Sequence, residues 1–327
     1  MQSYSIPENP VLIADIGGTN ARFAIADSEQ PYFHLAQTFQ CADFDAIESA
    51  IDAYLLAHAI EHIAGLCFAV AGPIIDGSVR FTNNHWQISS AELQQRYGVS
   101  QVKLLNDFAA IAYSLPKLRS TDLYNIGGDW PTVAGENYTI AVVGPGSGLG
   151  IAGLCSRDGH TYPIITEGGH AGFAPENELQ AQVAIYLQTK FGRVSRERLL
   201  SGPGLMNIHE ALCEIHDREN PVLSASDIAN AGTAGTYEIC TLTMDLYFEV
   251  LGQAAGDIAL TLGANDGIFI GGGITQRYPD HLQASKFRHG FENKGRHSDL
   301  MRRIPTWLIK RKNPGLVGAS VYALGLF

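Results

Sequence analysis

One pattern occurs twice in this chain and restricts its fold more than any other feature. LIADIGGTNARFAIA at 12–26 and IAVVGPGSGLGIAGL at 140–154 each read as an apolar strand, a glycine turn with a hydroxyl residue, and a second strand. Short apolar runs bounded by glycines predict β-hairpins. Aligned on Gly18-Thr19 and Gly146-Ser147, the two copies stand about one domain length apart. Such turns suit an anion, because backbone N–H groups can approach it where no Cβ intervenes. Gly17, Gly18, Gly146 and Gly148 would expose amides, and Thr19 and Ser147 would add hydroxyl donors. Asp15, just before the first turn, is a hard oxygen donor suited to Mg²⁺ or its water shell. Neither copy is a P-loop, since no lysine follows the glycines. Nor is GPGSGLG a dinucleotide turn: its third glycine position holds Leu149, and strand-like residues follow where a helix should begin. The matched pair predicts two like domains presenting two loops to one polyphosphate.

The remaining chain alternates strands and helices. A strand is predicted at 33–39 and a helix over 43–60, where Phe44, Ile47, Ile51 and Leu55 recur at helical spacing and Asp43 can cap. Buried strands follow at 63–73 and 101–107, the second leading into a helix that stops at Pro116. Helices are predicted near 177–191, 203–217 and 236–262, then a strand at 267–274. The final helix would take Asn313 as N-cap with Pro314 in its first turn. The class is α/β, with a domain boundary near Leu115–Leu118.

Composition excludes several functions. With 327 residues, 46% of them hydrophobic, the chain can fill two cores. A formal net charge of −11 argues against a nucleic-acid partner, and the one basic run, IKRK at 309–312, reads as a solvated strand end. There is no secretory leader pattern, and no run reaches the ~18 apolar residues of a membrane span. Five widely spaced cysteines without a CxxC predict reduced thiols, so a soluble cytoplasmic protein is expected. His58 with His62, and His209 with Cys213 and His216, share helix faces but lack further ligands in sequence. They read as ordinary helix residues.

Two other stretches carry candidate chemistry. In LLNDFAA, Asn106 and Asp107 fall at the C-terminal end of a strand, where α/β sheets bind ligands. Taken alone, Asp107 could simply cap the next helix. It could equally orient a sugar hydroxyl and accept its proton, since a loose phosphoryl-transfer transition state asks more of position than of basicity. In TEGGHAGFAP, Glu167 and His170 flank a glycine pair and could turn toward one vicinal diol.

DIGGTNAR, LLNDFAA, GPGSGLG, EGGH, LLSGPGL and GGGI occur in this order over nearly the whole chain, and together they resemble the bacterial glucokinases. That family is similar in fold to actin, sugar kinases and heat-shock ATPases. The resemblance implies two RNase H-like domains around a central cleft, a small one of 1–116 plus 310–327 and a large one of 117–309. It implies phosphate loops at Asp15, Ile16, Gly17, Gly18, Thr19 and Asn20 and at Gly146, Ser147 and Gly148. Gly271, Gly272 and Gly273 would lie by the adenosine, with SGPG at 201–204 on the nucleotide side. Asn106, Asp107, Glu167, His170 and Glu197 match the family's glucose ligands, Asn83 matches a more variable sugar loop, and Asp107 matches the catalytic base. The implied activity is transfer of the ATP γ-phosphoryl group to the glucose 6-hydroxyl with Mg²⁺, by a homodimer. Thr166 stands where the family more often has glycine, and GPG at 144–146 replaces a common GAG. The cysteine-rich zinc element of the ROK family is missing from the sequence, and only ten residues precede the first strand, which leaves no place for a DNA-reading helix-turn-helix. A sugar or nucleotide sensor, a nicotinamide oxidoreductase, and a kinase for mannose, fructose or an amino sugar are the alternatives.

Overall fold

The computed structural model describes residues 6–81, 84–128 and 135–327. They form two compact units, Met1–Leu118 with Gly159–Ile165 and Arg311–Phe327, and Arg119–Asp158 with Thr166–Lys310.

The first unit is built on β1 (Val11–Ile16), β2 (Asn20–Ala26), β3 (Phe33–Gln40), β4 (Gly65–Val70) and β5 (Val102–Asn106), in the order β3-β2-β1-β4-β5. β1, β2 and β3 are joined antiparallel, whereas β1, β4 and β5 run parallel. β4 is buried at all six residues, which is why it reads as an unbroken apolar run with no alternation. It stops at Val70, before Gly72-Pro73, and a small meander of Ile74–Ile75, Ser78–Arg80 and Gln87–Ser89 follows.

The helix expected over 43–60 is shorter, Ile47–Ala57, and Asp43 does not cap it. Ala46 stands at the N-cap without a side-chain bond, and Asp43 ends a separate 3₁₀ turn, Cys41–Asp43. Buried Cys41 donates its N–H to the Thr19 carbonyl at 2.8 Å, which pins the segment to the first glycine turn before the helix can start. Ile47, Ala50, Ile51 and Tyr54 then face the core, where Tyr54 packs on Phe23.

Helix Ser90–Tyr97, capped by Ser89, and two further helices, Asp107–Ser114 and Pro314–Leu324, also belong to this unit. Asn313 does hold the N-cap position, but in the left-handed region (φ 52°) and with no side-chain bond, so its contribution is backbone shape. A Cβ on Gly318 would stand 1.6 Å from the Ala110 carbonyl oxygen, so the two helices meet backbone to backbone.

The second unit contains β6 (Leu123–Gly127), β7 (Tyr138–Pro145), β8 (Leu149–Arg157), β9 (Ile268–Ile270) and β10 (Thr306–Ile309), with β8-β7-β9-β10-β6 running in that order through its sheet. The predicted hairpin is β7-β8, and β9 and β10 lie parallel beyond β7. Helices Glu178–Phe191, Gly202–Ile215 and Glu238–Leu262 fall where the periodicity put them. Ala225–Thr233 is an additional helix, not expected from the sequence, and a reciprocal Ser224–Asp227 capping box holds its start.

The strand expected at 267–274 ends at Ile270, and a helix starts at Gly273. Gly272 breaks it: with φ +94°, it passes so close to Pro145 that a Cβ would lie 1.9 Å from that carbonyl oxygen. Glycines also let the long helix Glu238–Leu262 touch helix Phe287–Glu292. A Cβ on Gly252 would meet the Phe287 carbonyl at 1.9 Å, and one on Gly290 the Glu249 carbonyl at 2.4 Å.

Gly318→Ala is expected to destabilise the protein by about 1–3 kcal/mol, because the contact is backbone and cannot yield as a side chain can. Urea unfolding monitored by far-UV dichroism measures it. An unchanged midpoint would mean that the helices are not in backbone contact.

Candidate functional site

In the first unit the turn Gly17–Asn20 is closed by Gly17 N–H donating to the Asn20 carbonyl at 2.9 Å. Gln40 Nε2 donates to Asn20 Oδ1 at 2.7 Å, and Asn84 Nδ2 to the Gly17 carbonyl at 3.2 Å, so neighbouring segments fix the turn from outside. Thr19 is exposed at its tip. Ile16 is a core residue, and its carbonyl accepts from Ala71 N–H at 3.0 Å, so it anchors the turn.

Asp15 is recessed beside the last helix: a Cβ on Gly315 would come 3.3 Å from its carboxyl carbon. Burial pushes its pKa above the ordinary aspartate value, and Arg22, 3.7 Å away, opposes that rise. This carboxylate is thus short of solvation and has one cation at long range.

Ile16 is in register with Val70, and Val70 with Asn106. The glycine turn and Asp107 therefore leave the same C-terminal edge of one sheet, about 10 Å apart across a single intervening strand. Asn106, not Asp107, is the helix cap: its Oδ1 accepts from Phe108 and Ala109 N–H at 3.0 and 3.1 Å. That leaves the Asn106 amide group to act as a donor. Asp107 is the first helical residue, half-buried, with Oδ1 accepting from Phe108 N–H at 2.9 Å.

In the second unit Gly146 N–H donates to the Gly148 carbonyl, and Gly202 N–H to the Gly146 carbonyl, both at 2.8 Å. Gly146, Ser147, Gly202 and Gly273 line one cavity of about 500 Å³, whose opposite wall includes Ser226, Ala229, Ile274 and Tyr278. The glycines were legible in the sequence, whereas the wall from 224–229 was not, because its helix was not expected. Three helices begin at this cavity, at Gly202, Ala225 and Gly273, and helix N-termini favour anions. Gly271 N–H donates to the Val143 carbonyl at 2.9 Å and Gly272 passes over Pro145, so these two glycines hold the segment against the hairpin, and of the three it is Gly273 that lines the cavity.

Glu197 lies against the same hairpin. Its Oε2 accepts from Leu149 N–H at 2.9 Å, over Gly148, where a Cβ would be 2.5 Å from that oxygen. His170 Nδ1 is 4.0 Å from Glu197 Oε1, so these two candidate sugar ligands are neighbours. Glu167 and His170 are exposed at the ends of the turn that spans Gly168–His170. Gly169 fits because a Cβ there would overlap the Leu149 carbonyl at 2.1 Å. Thr166 earns its place before this turn: its hydroxyl donates to the Ile151 carbonyl at 3.1 Å and accepts from Gly168 N–H at 3.0 Å. Asn83 lies outside the described residues. The discounted histidines have other partners: His58 bonds Gln37, His62 the Glu8 carbonyl, and His209 is buried against Cys213. Burial pushes the His209 pKa down, keeping it neutral.

Among solved structures, the chain superposes on a glucokinase from an Antarctic psychrotroph with a TM-score of 0.89 and 36% identity, covering 98% of this chain and 100% of that one. The fold extends to a ROK family glucokinase from Streptomyces griseus, with a TM-score of 0.64 at 18% identity over 96% and 99% of the two chains. This is the α/β fold of a sugar kinase. Residues 12–325 match the glucokinase family model. Glucokinases of Caulobacter sp. (strain K31) and Xanthomonas campestris pv. campestris (strain B100) are 41% and 42% identical to it over 312 and 323 residues. They cover 95% and 97% of this chain, and 94% and 96% of their own length. The chain belongs to the glucokinase family, and its activity is that of a sugar kinase acting on glucose. No helix among the described residues is long and apolar enough to cross a membrane.

Ser226→Trp would fill the cavity beside Gly202. The KM for ATP is expected to rise about tenfold, the equivalent of ~1.4 kcal/mol, with the glucose KM unchanged. Steady-state kinetics with each substrate varied in turn provide the check. Equal KM values for ATP in variant and parent would remove this cavity from the nucleotide path.

Proposed function

We propose that the chain transfers the γ-phosphoryl group of ATP to the 6-hydroxyl of D-glucose, giving glucose 6-phosphate, with Asp107 as the base. The observation that carries this reading is the strand register Ile16–Val70–Asn106, with a glycine turn and a carboxylate on one sheet edge. Glucose is the sugar named for a Balamuthia mandrillaris relative and, together with AMPPNP, for the Streptomyces griseus kinase.

Asn106, Asp107, Glu167, His170 and Glu197 would hold the sugar, with Asn83 as a further ligand. Asn106 can offer only its amide N–H groups, because its oxygen caps the helix. That division suits a sugar hydroxyl, which accepts from Asn106 while donating to Asp107. Asp107 would orient the 6-hydroxyl and take its proton as the phosphoryl group moves. Because little bond formation is needed from the protein, this placement does most of the catalytic work.

The Gly17 and Gly146 N–H groups, expected to be exposed, instead donate to the Asn20 and Gly148 carbonyls and shape the two turns. ATP would contact the amides of Gly18 and Gly148 and the hydroxyls of Thr19 and Ser147. Its adenosine would lie along Gly271, Gly272 and Gly273. Mg²⁺ fits the donor present: Asp15 is a recessed carboxylate directly before the first glycine turn, with Arg22 3.7 Å away. That arrangement suits an ion that keeps its waters and the substrate phosphates and meets the protein at one carboxylate. Bound there, Mg²⁺ would offset phosphoryl charge that a P-loop lysine neutralises elsewhere. The same reading takes the two units as RNase H-like domains, 1–116 with 310–327 and 117–309, sharing the two substrates. It also takes the protein as a cytoplasmic homodimer acting at the first step of glycolysis.

Asp107→Asn is expected to lower kcat by about 10²–10⁴, the usual worth of a positioned base, with glucose affinity nearly unchanged. Coupled ADP release gives kcat, and isothermal titration gives the affinity. Retained turnover would eliminate Asp107 as the base, and lost glucose binding would make it a sugar anchor.

A further inference from the structure

The second unit contains an ion-pair network that none of the chemistry above uses. Lys294, only 6% exposed, places Nζ 2.8 Å from Glu176 Oε1 and 3.0 Å from Asp257 Oδ1. The other Asp257 oxygen is 3.0 Å from Arg196 Nη2, on a side chain that is 15% exposed. The four charges alternate in sign along a line, Glu176–Lys294–Asp257–Arg196. Lys294 reaches this line by crossing the long helix at Gly256, where a Cβ would stand 2.8 Å from its Cε. Burying a lysine so fully is costly unless its charge is matched, and here two carboxylates match it.

The end of this line is adjacent to the candidate sugar residues. Arg196 precedes Glu197, and its N–H donates to the Ala171 carbonyl, next to His170, at 2.9 Å. Gly172 and Ser195 form a β-bridge, Phe173 N–H donates to the Val194 carbonyl at 3.1 Å, and Arg193 Nη2 donates to the His170 carbonyl at 2.8 Å. The segments 170–173 and 193–197 therefore act as one stitched pair. Asp257 fixes that pair to the long helix through Arg196, and Lys294 fixes Asp257.

We propose that Asp257 is a positioning residue for sugar binding: by clamping Arg196, it sets the spacing of Glu197 and His170. This rests on the reading of those two residues as sugar ligands. At metal sites, removing a carboxylate that orients a ligating side chain changes affinity or activity by about 10–100-fold, and the same kind of effect is expected where the oriented groups hold a sugar.

The test compares Asp257→Asn, Asp257→Glu, Arg196→Lys and Glu197→Gln by steady-state kinetics with glucose and ATP. Asp257→Asn is expected to raise the glucose KM about tenfold, with the KM for ATP changed less than about twofold. Asp257→Glu should restore most of that loss, and Arg196→Lys, which keeps the charge but not the planar fork, should raise the glucose KM severalfold. Simple destabilisation would reduce the amount of folded enzyme, and hence Vmax, without moving the KM of what remains. Should Asp257→Asn fail to fold, Arg196→Lys carries the test by the same readout. Unchanged glucose KM in both variants, with a raised KM in Glu197→Gln, would overturn the proposal and spare the sugar reading. Unchanged KM in Glu197→Gln as well would overturn both.

Discussion

The hydrogen bond from Leu149 N–H to the Glu197 carboxylate brings together three separate segments of the second unit. It forms at the tip of the β7-β8 hairpin, where Gly148 leaves the oxygen room to approach. The Leu149 carbonyl is covered by Gly169, so the turn bearing Glu167 and His170 is seated on the same residue. One step back, Gly146 accepts from Gly202 and thereby fixes the start of a helix at the cavity wall. A bulkier residue at Gly148 or Gly169 would separate segments that carry different candidate functions, whereas a Cβ at Gly146 would meet open space. The hairpin is therefore a shared support as well as a turn suited to phosphate, and its glycines serve backbone proximity as much as anion binding.

Features set by local sequence were legible before the structure. Both hairpins declared themselves through glycine-bounded apolar runs, and the long helices through their periodicity and caps. The errors arose where tertiary contacts override local preference. Asp43 is a good capping residue, yet the buried Cys41 and its bond to Thr19 place it in an earlier turn. The GIFIGGGI run is apolar throughout, but contact with Pro145 forces Gly272 out of any strand. The capping of helix Asp107–Ser114 fell to Asn106, a division of labour between adjacent side chains that spacing cannot resolve.

The site divides along the same line. Glycine-rich loops and the residues beside them stand out in one dimension because their chemistry is local. The cavity wall at 224–229 and the charges of Asp257 and Lys294 do not, since each matters only through partners distant in sequence. Thr166 is the intermediate case. Its place before the turn is explained by two hydrogen bonds, to the Ile151 carbonyl and from Gly168 N–H, which only the fold brings together.

The contact between Gly318 and Ala110 also bears on how the molecule is made. The first unit draws on both the opening 118 residues and the segment from Arg311 onward. On a ribosome, its sheet emerges early, but the helix that packs against Ala110 is translated near the end. Through most of synthesis, the apolar surface beside helix Asp107–Ser114 lacks its cover, while the intervening residues of the second unit are free to fold in sequence. Completion of one unit thus waits on translation of the segment from Arg311 onward, which follows the second unit in the chain. The order of assembly is set by chain connectivity and differs from the order in which the strands are read from the N-terminus.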